Sequence, residues 1–125
     1  MRRLLAPDAD APAAARGLLK EFDEVMGWRA GDAALVVSEL VTNSVLHGDA
    51  GAERAIELVL EFSDPVLRVE VCDHGGAQPA ASVEVVASAT GSTGFGLAIV
   101  DLLADAWGVE SNGQTCVWAC FERPV

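Results

Sequence analysis

Two neighbouring segments with a two-residue alternation constrain the fold of this chain more than any other feature. In residues 56–62, and again in residues 67–71, apolar side chains alternate with charged ones. The turn sequence Ser63-Asp64-Pro65 separates the two segments. Such alternation is typical of strands with one buried and one solvated face. The pair therefore predicts an antiparallel hairpin whose apolar face must be covered by a second layer.

Helical patterns on both sides of the hairpin predict that second layer. Residues 8–26 are rich in alanine and place their larger apolar side chains at helical spacing. A second helix is predicted from Asp32, as N-cap or first-turn acid, to about His47. Leu97, Val100, Leu103 and Trp107 repeat the helical spacing and predict a third helix, which Gly108 would end.

The ends of the chain complete the predicted sheet. Residues 2–6 could form a short edge strand or a loose start, and residues 109–111 and 115–121 predict a hairpin around Asn112-Gly113. Residues 83–88 could form a short helix. The predicted fold is α+β, a two-layer α/β sandwich with helices on one face of a mixed, mostly antiparallel sheet.

Size and charge limit the function. With 125 residues, the chain is predicted to form a single domain, residues 1–125. The net charge is -11 and only eight basic residues are present, which argues against a nucleic-acid partner and favours one with a basic surface. No apolar run approaches the ~20 residues of a membrane-spanning helix, so no membrane partner is expected.

The cysteines indicate a compartment. Cys72, Cys116 and Cys120 are odd in number and follow no secretory signal, so a reducing cytoplasm is the simplest setting. Because no Cys-x-x-Cys pair exists and both histidines lie far from Cys116 and Cys120, the sequence argues against zinc.

Polar residues interrupt the second predicted helix at regular spacing. Glu39, Asn43 and His47 follow one another at four-residue intervals and share one stripe of an otherwise mostly apolar helix. A carboxylate and an amide oxygen side by side suit a Mg²⁺ and phosphate cluster. The alternative is a solvated helix edge.

Asp73 and Thr115 are predicted to face inward. Asp73 has the parity of the buried residues of 67–71, and Thr115 has that of the inward face of 115–121. Asp73 could accept a hydrogen bond from the amino group of a base, with Gly75 letting a flat ring approach the backbone. The alternatives are a turn-capping Asp73 and a core Thr115.

The segment Gly91-Ser92-Thr93-Gly94-Phe95-Gly96-Leu97 leads into the third predicted helix. Free N–H groups and the helix dipole at such a start can bind an anion. A flexible loop joined to a helix is the alternative. The long glycine-bounded segment of residues 74–93 is predicted to be functional or mobile.

The motifs occur in the order Glu39-x-x-x-Asn43, Asp73-x-Gly75 and Gly94-x-Gly96-Leu97. In this order they resemble the motifs of the GHKL, or Bergerat-fold, ATPase superfamily over nearly the whole chain. The resemblance implies that ATP and Mg²⁺ are the cofactors. It implies that Asn43 holds Mg²⁺, Glu39 is the catalytic base, and Asp73 accepts a hydrogen bond from adenine.

The resemblance also assigns the rest of the site. Gly75 would lie beside the adenine ring, and Thr115 would support Asp73. Gly94 and Gly96 would present backbone N–H groups to the phosphates, and residues 77–93 would form the ATP lid. The neighbours of these motif residues, His47, Phe95 and Leu97, are included in the predicted nucleotide site. In the family's usual Asp-x-Gly-x-Gly box the last position is glycine, but here it is Ala77, and the predicted lid holds no Lys or Arg.

Within the superfamily, Ser38 to Gly48 and Thr115 to Ala119 are most similar to anti-sigma-factor serine/threonine kinases and their stand-alone relatives. This implies a cytoplasmic kinase that binds a sigma factor and phosphorylates an anti-anti-sigma (STAS-type) protein, with a homodimer as a candidate assembly. Two alternatives are a nucleotide-sensing module without kinase activity and the catalytic half of a split histidine kinase.

Overall fold

The structure, a computed structural model, describes residues 1–47, 55–73, 92–111 and 114–125. The strands are β1 (Arg2–Leu5), β2 (Ile56–Ser63), β3 (Val66–Asp73), β4 (Ala106–Ser111) and β5 (Thr115–Glu122). The α-helices are α1 (Ala11–Leu19), α2 (Asp23–Met26), α3 (Ala30–His47) and α4 (Ser92–Leu103). No helix in these ranges combines the length and apolar character needed to cross a membrane.

The strands form one five-stranded sheet in the order β1-β2-β3-β5-β4, and all four described pairings are antiparallel. The predicted central hairpin is confirmed, because β2 and β3 pair along their full lengths from Ser63↔Val66 to Ile56↔Asp73. The short edge strand is also confirmed, since β1 pairs with β2. There the amino terminus of Met1 donates a hydrogen bond to the Leu60 carbonyl, 2.8 Å away.

The core lies between one sheet face and the helices. Alternate residues of β2, β3 and β5 point to this inner face, and α3 covers it with Val36, Val37, Leu40 and Val41, each at most 2% exposed. Helices α1 and α4 flank α3. Burial of these apolar side chains is the main stabilising force. The predicted α+β sandwich is confirmed.

The first predicted helix is interrupted. A 3₁₀ turn at Lys20–Phe22 separates α1 from α2, and a second at Gly27–Arg29 leads into α3. The prediction of one helix over residues 8–26 was therefore wrong in its continuity. A 3₁₀ turn keeps apolar residues close to helical spacing, so periodicity could not show the break. Gly27, with φ of +53°, supplies a backbone conformation that glycine adopts readily.

The third predicted helix ends earlier than its spacing suggested. Helix α4 stops at Leu103, and Trp107 and Gly108 lie in β4, so their assignment to a helix and its stop was wrong. Pairing of β4 with β5 overrides the helical spacing, because it satisfies backbone groups that the helix would have used. A Cβ at position 108 would meet the Trp118 ring at 2.7 Å, so Gly108 allows close packing in the sheet.

Candidate functional site

Helix α3 carries the first predicted pair. Glu39 and Asn43 both lie within α3, are half-buried, and share one stripe of the helix as the spacing indicated. Their neighbours Leu40 and Val41 are almost completely buried. The two polar side chains therefore lie where the covered part of α3 meets its accessible part, which disfavours a plain solvated edge.

The Asn43 amide has an unsatisfied group. Its Nδ2 atom is buried and, among the described residues, has no hydrogen-bond partner. An unsatisfied buried donor costs about 1–3 kcal/mol, so native proteins keep few of them. An acceptor supplied by a ligand would remove this cost.

Thr115 shows the same feature on the opposite layer. It begins β5 on the inner face, as its parity predicted, and its buried Oγ1 has no hydrogen-bond partner within the described parts of the chain. Thr115 pairs directly with Asp73, the last residue of β3, which is half-buried. The hydroxyl can both donate and accept, whereas an ionised carboxylate can only accept.

Helix α3 packs on β3, so the two elements that carry Asn43 and Asp73 are neighbours. Ala33 of α3 and Leu67 of β3 line the same small cavity between the two layers. The helix that carries Asn43 is thus in direct contact with the strand that ends at Asp73.

Helix α4 contains the second glycine motif. Gly94 and Gly96 lie in its first turns, and Leu97 is buried. Gly94 is among the first four residues, whose N–H groups have no acceptor inside the helix, and Gly96 follows this group. Helix α4 packs against α3, so its start belongs to the same layer as Asn43.

Parts of the predicted site lie outside the described structure. Gly75, the proposed short helix at 83–88 and most of the predicted lid fall on residues that are not described. Ser92 and Thr93, the last residues of the predicted lid, form the start of α4. His47 ends α3 and Phe95 lies in α4, but their side chains are not among those described.

The sequence analysis missed a covalent link beside this site. Cys72 and Cys116 form a disulfide between β3 and β5, with their Cα atoms 4.0 Å apart, and Cys120 is free. The two cysteines are immediate neighbours of Asp73 and Thr115. They are separated by 44 positions, so only alignment of the two predicted strands in register could have found the pair.

Comparisons with known proteins concern the fold and the family of the chain. The family model of the histidine kinase-like ATPase domain matches residues 5–121. Among solved structures, the chain is similar to the histidine kinase domain from Erythrobacter litoralis EL346 blue-light activated histidine kinase, with a TM-score of 0.57 and 19% identity. That match covers 88% of this chain but 63% of the kinase domain, and it concerns the fold alone. No curated protein matches the chain in sequence.

Proposed function

The chain belongs to the histidine kinase-like ATPase domain family, and from that premise we propose that it binds ATP and Mg²⁺ between α3, the paired ends of β3 and β5, and the start of α4. The main support for this proposal comes from two predicted site residues, Asn43 and Thr115. Each keeps a buried polar atom without a hydrogen-bond partner in the described parts of the chain. They lie on different layers and 72 positions apart in the numbering.

The donor set fits the nucleotide. Asn43 offers its amide oxygen to Mg²⁺ and its Nδ2 group to a phosphate oxygen, and hard cations prefer oxygen ligands. Asp73 would accept a hydrogen bond from the adenine amino group, and the Thr115 hydroxyl would stabilise Asp73 or the base. When bound, ATP would supply the transferable phosphoryl group and Mg²⁺ would neutralise its charge.

We further propose that the activity is serine/threonine phosphorylation, with Glu39 taking the proton of the attacking hydroxyl. The support is the half-buried position of Glu39 on the stripe of Asn43 and the similarity of Ser38 to Gly48 to anti-sigma-factor kinases. The proposed partners are a sigma factor and an anti-anti-sigma protein, met in the cytoplasm, with a homodimer as the assembly.

Nucleotide binding is tested by calorimetry with ATP and ADP, with and without Mg²⁺. Asp73→Asn replaces the charged carboxylate acceptor with a neutral amide that also carries an NH₂ donor, so ATP affinity is expected to fall roughly 10- to 100-fold, as for the loss of one charge-assisted hydrogen bond. Asp23→Asn changes an exposed carboxylate on α2 and serves as the matched control. Equal affinities in the two variants would contradict the adenine assignment.

Phosphoryl transfer is tested with radiolabelled ATP and candidate antagonist proteins, followed by phosphoserine analysis. Glu39→Ala is expected to lower the transfer rate about 100-fold or more while ATP still binds, because general-base catalysis contributes roughly 10²–10⁴-fold. Glu24→Ala, an exposed acid on α2, is the control. Transfer at the wild-type rate in Glu39→Ala would remove Glu39 from the catalytic role.

The same experiments separate the alternatives. Tight ATP binding with no transfer to any protein favours a nucleotide-sensing module, which the predicted lid without Lys or Arg also favours. Transfer to histidine on a separate helical protein, stable to base and labile to acid, favours the catalytic half of a split histidine kinase.

A further inference from the structure

The outer face of the sheet, which faces away from α3, carries a row of sulfur and carboxylate groups. Glu57, Cys72, Cys116 and Glu110 lie directly opposite one another on β2, β3, β5 and β4. Neighbouring strands are about 4.8 Å apart. Four adjacent strands therefore present carboxylate, sulfur, sulfur and carboxylate in one line across the sheet.

A third carboxylate completes a compact donor set. Glu70 precedes Cys72 by two positions on β3 and so shares its face. One carboxylate oxygen of Glu70 and the two sulfur atoms all lie within 4.8 Å of one another. An open pocket of about 220 Å³ lies over this group, with Arg2 and Gln114 also on its wall.

Charge at the pocket favours a cation. Among the described residues, its wall holds Glu57, Glu70 and Glu110 and one cation, Arg2, which pairs with Glu57 at 2.8 Å. Arg68 also reaches Glu70, at 3.5 Å, and the Arg68 side chain is one-third exposed. These carboxylates outnumber the described cations that face them, and two sulfurs lie at their centre.

We propose that Cys72, Cys116 and Glu70 form a redox-gated site for a divalent, thiolate-binding metal such as Zn²⁺, closed by the disulfide and opened by its reduction. Zn²⁺ takes thiolate sulfur and carboxylate oxygen together, at about 2.3 Å and 2.0–2.2 Å, and a water or Glu110 supplies the fourth ligand. Local Cys spacing could not indicate this donor set, because the sheet joins cysteines 44 positions apart.

A dithiol reductant would supply the two electrons that open the site. Thiol–disulfide exchange oxidises the reductant to a disulfide and leaves Cys72 and Cys116 as two thiols. Binding of one divalent cation then releases the two thiol protons and leaves two thiolate ligands. In a reducing cytoplasm this open state would be favoured.

The third cysteine must be removed from the test. Cys120 is free, half-buried and on the same outer face as Cys116. Burial raises the pKa of the Cys120 thiol, so this residue is a poor thiolate at neutral pH. A Cys120→Ser background nevertheless leaves Cys72 and Cys116 as the two cysteines of the chain.

The experiment titrates Co²⁺, then Zn²⁺, into the Cys120→Ser protein without oxygen, before and after treatment with a phosphine reductant. The reduced protein is expected to bind one equivalent of Co²⁺ with sulfur-to-metal charge-transfer absorption, which Zn²⁺ abolishes. The oxidised protein is expected to show none. This comparison uses one folded chain in two redox states, so it does not depend on whether a cysteine variant folds.

Variants then identify the ligands. Cys72→Ser and Cys116→Ser are each expected to abolish the charge-transfer absorption, with circular dichroism as the folding check. Glu70→Gln is expected to weaken Zn²⁺ binding at least about tenfold. Even residues that only hydrogen-bond to metal ligands cost about that much metal affinity when they are replaced. Glu61→Gln is the matched control, because Glu61 of β2 lies on the same outer face of the sheet as Glu70. This variant should leave the affinity for Zn²⁺ unchanged.

Three metal-binding results would overturn the proposal. They are reduced protein without the absorption, absorption that persists in Cys72→Ser, and equal affinity in the Glu70 and Glu61 variants. Resistance of the folded pair to a dithiol, seen as no new alkylatable thiol, would show a permanent structural link and would also refute it. None of these results depends on ATP binding, so the proposed function stands or falls separately.

Discussion

At the scale of single residues, Asn43 and Thr115 are the two predicted site residues with a buried polar atom that the described residues leave without a partner. A core residue without a ligand role would be expected to satisfy its polar atoms or to be apolar. In both residues one buried polar atom has no partner among the described residues. Such local conflicts are typical of functional sites, where stability is lost to keep a group available for a ligand.

Thr115→Val tests whether Thr115 is kept for a ligand, because it is expected to raise stability and to lower ATP affinity. Valine has nearly the same shape and removes the unsatisfied hydroxyl, so the free energy of unfolding without nucleotide is expected to rise by about 1 kcal/mol. ATP affinity is expected to fall roughly five- to tenfold, because the ligand loses a hydrogen bond. Chemical denaturation and calorimetry on the same samples measure both.

The matched control is Thr42→Val, a half-buried threonine on α3 that adjoins Asn43 in sequence but lies on another stripe. Nucleotide affinity is expected to stay at the wild-type value in this control. A Thr115→Val protein that is less stable and binds ATP normally would identify Thr115 as an ordinary core threonine.

At the scale of elements, Arg29 joins the end of α4 to the start of α3 and to the sheet. Its guanidinium donates to the Leu103 carbonyl at 2.8 Å and to both oxygens of Asp105 at 2.9 and 3.2 Å. Asp105 also accepts from the Glu122 backbone at 2.6 Å, and Arg29 stacks over Phe121. The planar guanidinium thus satisfies the last turn of α4 and fixes where β4 begins.

Arg29→Lys is expected to lower the free energy of unfolding by about 2 kcal/mol, because lysine keeps the charge but lacks the fork that reaches Leu103 and Asp105 together. The Arg29 side chain is 11% exposed, so solvent cannot replace these bonds. Arg3→Lys at an exposed position of β1 should change stability by less than about 0.5 kcal/mol. Equal denaturation midpoints would show that the junction contributes nothing.

At the scale of the whole molecule, charge and topology act together. Several of the eight basic residues are engaged with acids or carbonyls of the same chain, among them Arg2, Arg29 and Arg123. The net charge of -11 is the reason for proposing partners with a basic surface. Helices cover one face of the sheet and the other face is directed outward, so the proposed nucleotide site and the proposed metal site lie on opposite faces, linked through Asp73, Cys72 and their partners on β5.

Much of the fold could be predicted because its signals are local. Alternation marked β2 and β3, and helical spacing marked α3 with its polar stripe at Glu39 and Asn43. The same two-residue period predicted that Thr115 lies on the inward face of β5. Each signal comes from the geometry of a single element, so a sequence window contains all that is needed to find it.

The tertiary structure alone decided the rest. Trp107 joined β4, Arg29 joined α4 to the sheet, and Cys72 met Cys116, because each outcome depends on a partner far away in sequence. The unsatisfied atoms of Asn43 and Thr115 belong to this class as well, since a missing partner is a property of the packed neighbourhood. The sequence by itself determined which elements form and which side chains they present. Packing determined which of those side chains meet, because burial and pairing energies arise only once the layers are in contact.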